Sequence, residues 1–282
     1  MKIVRILAEA SDILHRSGIP APRCEAASLL QFALRKNRTF LIAHPEYEPE
    51  NDDEQRFRSF VKRRANREPY HHITGVKEFY GLDFEVSPDV LIPRPETEML
   101  VENSIAILQK MDRPAFCEVG VGSGCISIAI LRSVDSATAA GMEIAENAMK
   151  IAKRNAEKHG VVERFNLHRS DIFSALRNET FDLIVSNPPY ISARDLLELQ
   201  REVRDFEPHI ALTDGGDGLS IIESIARQSP KYLNPGGFLV MEIGINQGAA
   251  VRAMFDTQYW KKVEILSDFQ AIPRMVRAGA VS

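Results

Sequence analysis

Residues 118–130 read EVGVGSGCISIAI, and this stretch decides the fold. The run from Ala115 to Val119 has the length and apolar character of a buried strand. Gly120, Gly122 and Gly124 come next, and a helical pattern follows near 124–132. Glycines between a strand and a helix allow a tight turn and let a ligand approach the backbone closely. The spacing is G-x-G-x-G. The dinucleotide fingerprint requires glycine at 125, where Cys125 stands, and no P-loop Lys-Ser/Thr pair follows. The loop therefore argues against NAD and ATP and leaves the ligand open.

Outward from this stretch, strands and helices alternate. Apolar runs predict strands at 115–119, 139–144, 165–169, 181–186, 237–243, 261–266 and 274–280. Helical patterns lie near 124–132, 146–159, 194–202 and 217–232. Such alternation implies an α/β domain, a mostly parallel sheet covered by helices on both faces. Ligands in these sheets bind beyond the carboxyl ends of the strands, near the point where strand order reverses.

Two acids extend the reading. Glu143 ends the second strand, 19 residues past Gly124. A carboxylate there can accept hydrogen bonds from both hydroxyls of a ribose. It can equally be a surface acid at the start of the next helix, a place Glu146 could also fill. Asp171 closes the third strand, where it can reach the exocyclic amine of an adenine. A plain helix N-cap is the alternative.

The fourth strand ends in FDLIVSNPPY, residues 181–190. Asn187 offers a side-chain oxygen, and Pro188 offers a backbone carbonyl. Proline has a fixed φ and no N–H, so Pro188 and Pro189 make a stiff turn that presents acceptors without competing donors. Two acceptors suit a planar –NH2 group, and Tyr190 supplies a flat face for it to pack against. The arrangement suits methyl transfer to a nitrogen whose lone pair is delocalised, through positioning and electrostatics. The bland alternative is a proline turn that merely ends a strand.

The first 70 residues are different in kind. Ile3, Ile6, Leu7, Ala10, Ile13 and Leu14 have helical spacing, and Gly18 stops the run. Pro22 opens a second helix with Ala26, Leu29, Leu30, Ala33 and Leu34, followed by a short segment near 39–43 and a helix near 53–67. That last helix carries Arg56, Arg58, Lys62, Arg63, Arg64 and Arg67. It reads as a solvated face or as a patch that docks a partner. Residues 70–98 contain short β-like runs broken by Gly75, Gly81, Pro88, Pro93 and Pro95, as expected for a hairpin and an extended linker. Three regions result: a helical docking domain at 1–72, a hairpin linker at 73–98 and an α/β domain at 99–282.

Composition sets the outer limits. The 282 residues are 44% apolar and 26% charged, with a net charge of −4. That balance gives no global signal for nucleic acid or membrane binding. Residues 1–75 carry 13 Lys and Arg against 10 Asp and Glu, so the acidic excess lies in the remainder. Cys24, Cys117 and Cys125 form no C-x-x-C pair, and the seven histidines form no metal-spacing motif. No metal site and no disulfide framework are expected. No segment reaches the roughly 18 apolar residues that span a bilayer, and the N-terminus does not resemble a signal peptide. A cytoplasmic protein is expected.

The NPPY segment resembles the [N/D]-P-P-[Y/F/W] motif of class I S-adenosylmethionine-dependent methyltransferases, whose fold is Rossmann-like. LIPRPETE (91–98), EVGVGSGCISIAI (118–130), SNPPYI (186–191), EPHIALTDGGDGL (207–219) and LNPGGFLVMEIG (233–244) together resemble the PrmC/HemK family. That family comprises protein-(glutamine-N5) methyltransferases acting on class I peptide chain release factors, and the resemblance spans nearly the whole chain. It implies S-adenosyl-L-methionine as cofactor. Gly120, Val121, Gly122, Ser123 and Gly124 would cradle its methionine part, Glu143 would hold the ribose, and Asp171 and Ile172 would flank the adenine. Asn187, Pro188, Pro189 and Tyr190 would grip the glutamine amide of a Gly-Gly-Gln loop, with Asn187 also beside the cofactor. Val121 stands where the family often has threonine, Glu143 replaces the usual aspartate, and Ile172 sits where an aromatic residue sometimes stacks.

Rival readings share the chemistry. An adenine-N6 DNA methyltransferase also binds an amine on a planar group, but it requires a basic recognition surface and base flipping. A glutamine methyltransferase of a ribosomal protein shares the catalytic motifs. A non-catalytic nucleoside-binding adaptor would have no need of paired amine acceptors.

Overall fold

The computed structural model describes residues 1–281, and the chain divides into two compact units. The first comprises residues 1–76 together with 200–206; the second comprises 77–199 and 207–282.

The first unit contains α1 (Ile3–Arg16), α2 (Pro22–Leu34), α3 (Arg38–Ala43), α4 (Asn51–Ala65) and α5 (Tyr70–Thr74). In α1, Ile3, Ile6, Ala10 and Leu14 form the buried stripe that its spacing predicts. Pro22 starts α2, where Leu29 and Leu30 are fully buried. Each such leucine contributes roughly 1.5–3 kcal/mol through burial. In α4, Asp52, Asp53 and Glu54 occupy the first turn and Lys62, Arg63 and Arg64 the last, matching the helix dipole at both ends. Phe57 and Val61 of α4 join the same core.

Of the six basic residues from Arg56 to Arg67, five are paired within the unit. Arg56 bonds Asp53, Arg58 bonds Glu54, and Arg63 meets Glu68 at 2.5 Å. Arg64 is 6% exposed and lies 3.0 Å from Glu25 and 3.1 Å from Glu202. Arg67 takes the other oxygen of Glu202 at 3.0 Å. Neither a bare solvated face nor an open patch describes Arg64 and Arg67.

From residue 77 the second unit holds the rest of the hairpin strand β1 (Val76–Phe79) and β2 (Leu82–Glu85), then α6 (Glu98–Leu108), β3 (Ala115–Val119), α7 (Cys125–Ser133), β4 (Thr138–Glu143) and α8 (Glu146–Lys158). β5 (Phe165–Arg169), β6 (Phe181–Ser186), α9 (Ala193–Leu196) and α10 (Arg201–Arg204) follow, α10 lying in the first unit. The chain ends with α11 (Ser220–Gln228), β7 (Leu233–Glu242), α12 (Gly248–Ala253), β8 (Trp260–Ser267) and β9 (Pro273–Ala280).

The seven-stranded sheet has the order β5-β4-β3-β6-β7-β9-β8. All pairs are parallel except β7–β9 and β8–β9. Strand order reverses between β3 and β6, so the binding crevice belongs at their carboxyl ends. Side chains alternate between two cores: Phe116, Leu183, Val185 and Val240 enter one, and Cys117, Ile184, Leu239 and Met241 enter the other. α6, α7 and α8 contribute to the first, α11 and α12 to the second.

Three expectations change. The hairpin is not a separate linker: Phe79 and Phe84 are buried in the core that α6 and α7 share, so it belongs to the α/β unit. Residues 70–74 are helical, ended by Gly75 at φ +73°. The single helix expected near 194–202 is two short pieces, because residues 200–206 leave to pack with the first unit. All three cysteines are free. Among the described residues, no helix is long and apolar enough to cross a membrane.

Candidate active site

The strand register brings the motifs to one edge. Val119 pairs with Met142 on one side and with Ser186 on the other, and Glu143 pairs with Arg169. The residues that follow each strand therefore emerge at one level. Gly120 and Asn187 are neighbours: a Cβ added at Gly120 would lie 3.9 Å from the Asn187 carbonyl oxygen. The buried Ser186 hydroxyl donates to the Val119 carbonyl at 2.7 Å and ties the two strand ends together.

A cavity of about 340 Å³ opens at this edge. Gly120, Val121, Gly122, Ser123, Glu143, Asp171, Ile172, Asn187, Pro188 and Pro189 all line it. Its size is within the usual range for cofactor sites, roughly 300–1,000 Å³. Two expected residues lie behind the wall. Gly124 starts α7 at φ +82°, and an added Cβ would sit 3.0 Å from Ile128 and 3.3 Å from Ala152. Its work is to let α7 and α8 approach. Tyr190 packs its ring on the core beneath the sheet, and its hydroxyl donates to Glu242 at 3.0 Å.

Glu143 is 8% exposed and accepts two backbone N–H groups, Gly122 through Oε2 and Ala145 through Oε1, each at 2.9 Å. It thus fixes the glycine loop and the start of α8 at once. Each carboxylate oxygen keeps a second lone pair for a ligand hydroxyl. Asp171 is exposed on the cavity wall, and no helix begins there, so it is no N-cap. Ile172 takes φ +50°, in a turn where the Ser170 hydroxyl donates to its carbonyl.

Behind Glu143 lies Glu118, fully buried, whose carboxylate accepts from the Ser127 N–H at 3.0 Å and from the Ser127 hydroxyl. Burial pushes its pKa up to about 8 against those bonds, and the nearby Glu143 adds to the rise.

Sequence reasoning missed the groups that hold the Asn-Pro-Pro-Tyr turn. Asn187 Nδ2 donates to Thr97 Oγ1 at 3.1 Å, and Thr97 donates to Glu242 at 2.7 Å. Gln247 donates to the Tyr190 carbonyl at 2.9 Å and accepts from the Gly244 N–H at 2.8 Å. Glu207, 4% exposed, accepts from the Ile92 N–H and from Arg94, anchoring the segment that carries Thr97. Asp214 gathers the Gly216, Gly218 and Ser220 N–H groups and the Ser220 hydroxyl. Burial opposes its ionisation, but these bonds prevail and hold its pKa at about 2. One signal was present in the sequence. Glu242 ends the apolar run FLVME, and an acid inside such a strand must find donors.

Comparison with known proteins places the chain. Residues 5–75 match the PrmC N-terminal domain model, and residues 97–203 match the methyltransferase small domain model. The chain is 41% identical to a release factor glutamine methyltransferase from Geobacter sulfurreducens, over 97% of its own length and 95% of that protein. It is 38% identical to one from Koribacter versatilis, over 93% of each. Among solved structures it is similar to a Thermus thermophilus 16S rRNA N2 G1207 methyltransferase in complex with AdoMet and guanosine. The TM-score is 0.54 at 17% identity, covering 73% of this chain and 50% of that one, which establishes a shared fold. With near-complete coverage at this identity, the chain belongs to the release factor glutamine methyltransferase family.

Proposed function

We infer that this protein transfers a methyl group from S-adenosyl-L-methionine to the side-chain amide nitrogen of the Gly-Gly-Gln glutamine in class I peptide chain release factors. The observation that carries the reading is the orientation of Asn187. Its –NH2 group is committed to Thr97, so its Oδ1 remains as an acceptor at the cavity, next to the glycine loop.

The residues present fit the cofactor. The loop from Gly120 to Ser123 offers backbone to a close ligand, Glu143 retains acceptor capacity for ribose hydroxyls, and Asp171 can accept from an adenine amine. The cofactor supplies a methyl group on a sulfonium, an electrophile that needs no activation by the protein.

The chain's own task is to hold a weak nucleophile. An amide nitrogen shares its lone pair with the carbonyl, so attack requires that pair to be withdrawn from resonance. Asn187 Oδ1 accepts one N–H and the Pro188 carbonyl accepts the other, and both acceptors favour the positive charge that builds on nitrogen as the methyl arrives. The methylated nitrogen is then acidic and loses its extra proton to solvent, so no general base is needed before attack. Docking by the helical unit is part of this reading, through surfaces other than the internally paired Arg64 and Arg67.

A labelled-methyl assay tests the reading. Purified release factor, the same factor with its Gly-Gly-Gln glutamine replaced, a ribosomal protein fraction and unmethylated DNA are offered in parallel. Label in the intact release factor alone is expected. Label in DNA or in the ribosomal fraction would transfer the site to another acceptor.

A further inference from the structure

Thr97 and Glu242 stand 145 residues apart in sequence, yet they meet behind the Asn-Pro-Pro-Tyr turn. Both are buried, Thr97 at 2% exposure and Glu242 at 4%. We propose that Glu242, acting through Thr97, is a positioning residue that dictates which end of the Asn187 amide faces the substrate. The proposal rests on the reading that Asn187 receives an amide –NH2.

A threonine hydroxyl has one hydrogen to give, and that of Thr97 goes to Glu242 Oε2 at 2.7 Å. The tyrosine hydroxyl also has one, and that of Tyr190 goes to Glu242 Oε1 at 3.0 Å. When ionised, the Glu242 carboxylate is an acceptor only, and both hydroxyls then donate to it. With its hydrogen spent, Thr97 Oγ1 can only accept from Asn187. Asn187 must then present its –NH2 inward, where it lies 3.1 Å from Thr97, and its Oδ1 toward the cavity. The amide has no sense of direction of its own, because its oxygen and nitrogen ends are nearly equal in shape. The carboxylate supplies that sense.

Reversing one link reverses the result. If Glu242 carried a proton and gave it to Thr97, the Thr97 hydrogen would be released toward Asn187. The amide would turn, and a donor would meet the substrate's own –NH2 group. Two donors facing one another cannot bind. Burial pushes the Glu242 pKa up, while Thr97, Tyr190 and the Arg274 charge pull it down and Glu96 adds to the rise. Tyr190 stays protonated throughout, its own pKa raised by burial and by Glu242.

The same carboxylate also tethers Tyr190, so the chain runs Asn187–Thr97–Glu242–Tyr190 and returns to the turn it began from. A closed circuit of this kind holds both ends of a four-residue turn with one acid.

The test uses the full-length enzyme with three substitutions. Glu242→Gln keeps the shape but offers one acceptor and one donor, so the two hydroxyls can no longer both donate. Thr97→Val keeps the volume and removes the link, and Thr97→Ser keeps the hydroxyl. For Glu242→Gln and Thr97→Val, kcat on release factor is expected to fall roughly 10- to 100-fold, by analogy with the outer hydrogen-bond partners of metal-ligating side chains. Cofactor affinity by calorimetry and melting temperature should stay near wild type. Thr97→Ser should restore most of the rate. Affinity for a Gly-Gly-Gln peptide, measured with S-adenosylhomocysteine bound, should fall in Glu242→Gln and not in Thr97→Ser. Equal rates and peptide affinities across the set would overturn the proposal. So would losses of kcat that track lost melting temperature, or a Thr97→Ser enzyme as slow as Thr97→Val. If the wild-type enzyme labels a different acceptor, the functional reading fails, and the same variants measured on that acceptor still decide this proposal.

Discussion

Gly218 is the most demanding backbone contact in the site, and replacing it with alanine tests how rigid the Asn-Pro-Pro-Tyr turn must be. Its φ is +81°, and an added Cβ would fall 2.2 Å from the Tyr190 carbonyl oxygen and 2.7 Å from its carbon. The left-handed backbone costs an alanine roughly 1–2 kcal/mol. Relieving a 2.2 Å contact demands that the two segments part by about 1 Å, the displacement that typically costs 10²-fold in rate when it reaches reacting groups. Gln247 cannot absorb it, because it bonds the same Tyr190 carbonyl and the proposed methyl would sit 3.2 Å from its Nε2. Gly218→Ala should therefore lose about 100-fold in kcat and a few degrees of melting temperature, at roughly 2–4 °C per kcal/mol for a domain of this size. Gly216→Ala is the control, since its added Cβ would meet nothing closer than Asp214 at 3.5 Å. The assay is methyl transfer to release factor under saturating cofactor, with thermal melts alongside. A Gly218→Ala enzyme with wild-type kcat would show that the turn can move by an ångström without consequence, and the positioning argument would fail.

Other perturbations probe other links. Glu143→Ala should free the Gly122 and Ala145 N–H groups and weaken cofactor binding, so an unchanged dissociation constant by calorimetry would remove Glu143 from the ribose role. Arg64→Met should cost about 1.5–3 kcal/mol in urea unfolding by removing the charge-assisted bonds to Glu25 and to Glu202, which keeps Arg67, while KM for release factor holds; a raised KM at unchanged stability would return Arg64 to partner docking. Glu118, with its pKa raised to about 8, keeps a proton in the folded state that an unfolded carboxyl, with its ordinary value near 4.5, has already lost. Stability should therefore decline as pH rises through the window between those values. Glu118→Gln should flatten that decline in a series of melts, and parallel slopes for the two proteins would contradict the assignment.

The sheet was legible because its strands are short apolar runs that need no distant information. Phe181 to Val185 and Leu239 to Met241 announce themselves, and the glycine loop marks where the first of them turns. What stayed hidden depends on partners far along the chain. The helix expected at 194–202 breaks because its middle has no core to face: Leu197 is 70% exposed, and the residues after it pack elsewhere. The segment 70–74 looked extended because Gly75 reads as a turn, yet it caps a single helical turn. Arg64 looked free because Glu25 and Glu202 lie outside any local window, and no local pattern pairs Thr97 with Glu242. Most of the residues that line the cavity were readable from motif chemistry, while the partners that hold them were not. Aiming is a long-range property of the folded chain.

Residues 200–206 have a consequence for how this protein can be cut and recombined. The polypeptide passes between its two units at 76/77, at 199/200 and again at 206/207, so the helical unit is sewn in and not appended. A fragment starting at residue 77 would still carry Glu202 but would have lost Arg64 and Arg67, which hold it. A chimaera exchanging the first 76 residues with those of a relative would confront a foreign arginine pair with a native loop. An exchange of the helical unit of this chain has to carry two pieces of sequence, the second lying just past the Asn-Pro-Pro-Tyr turn.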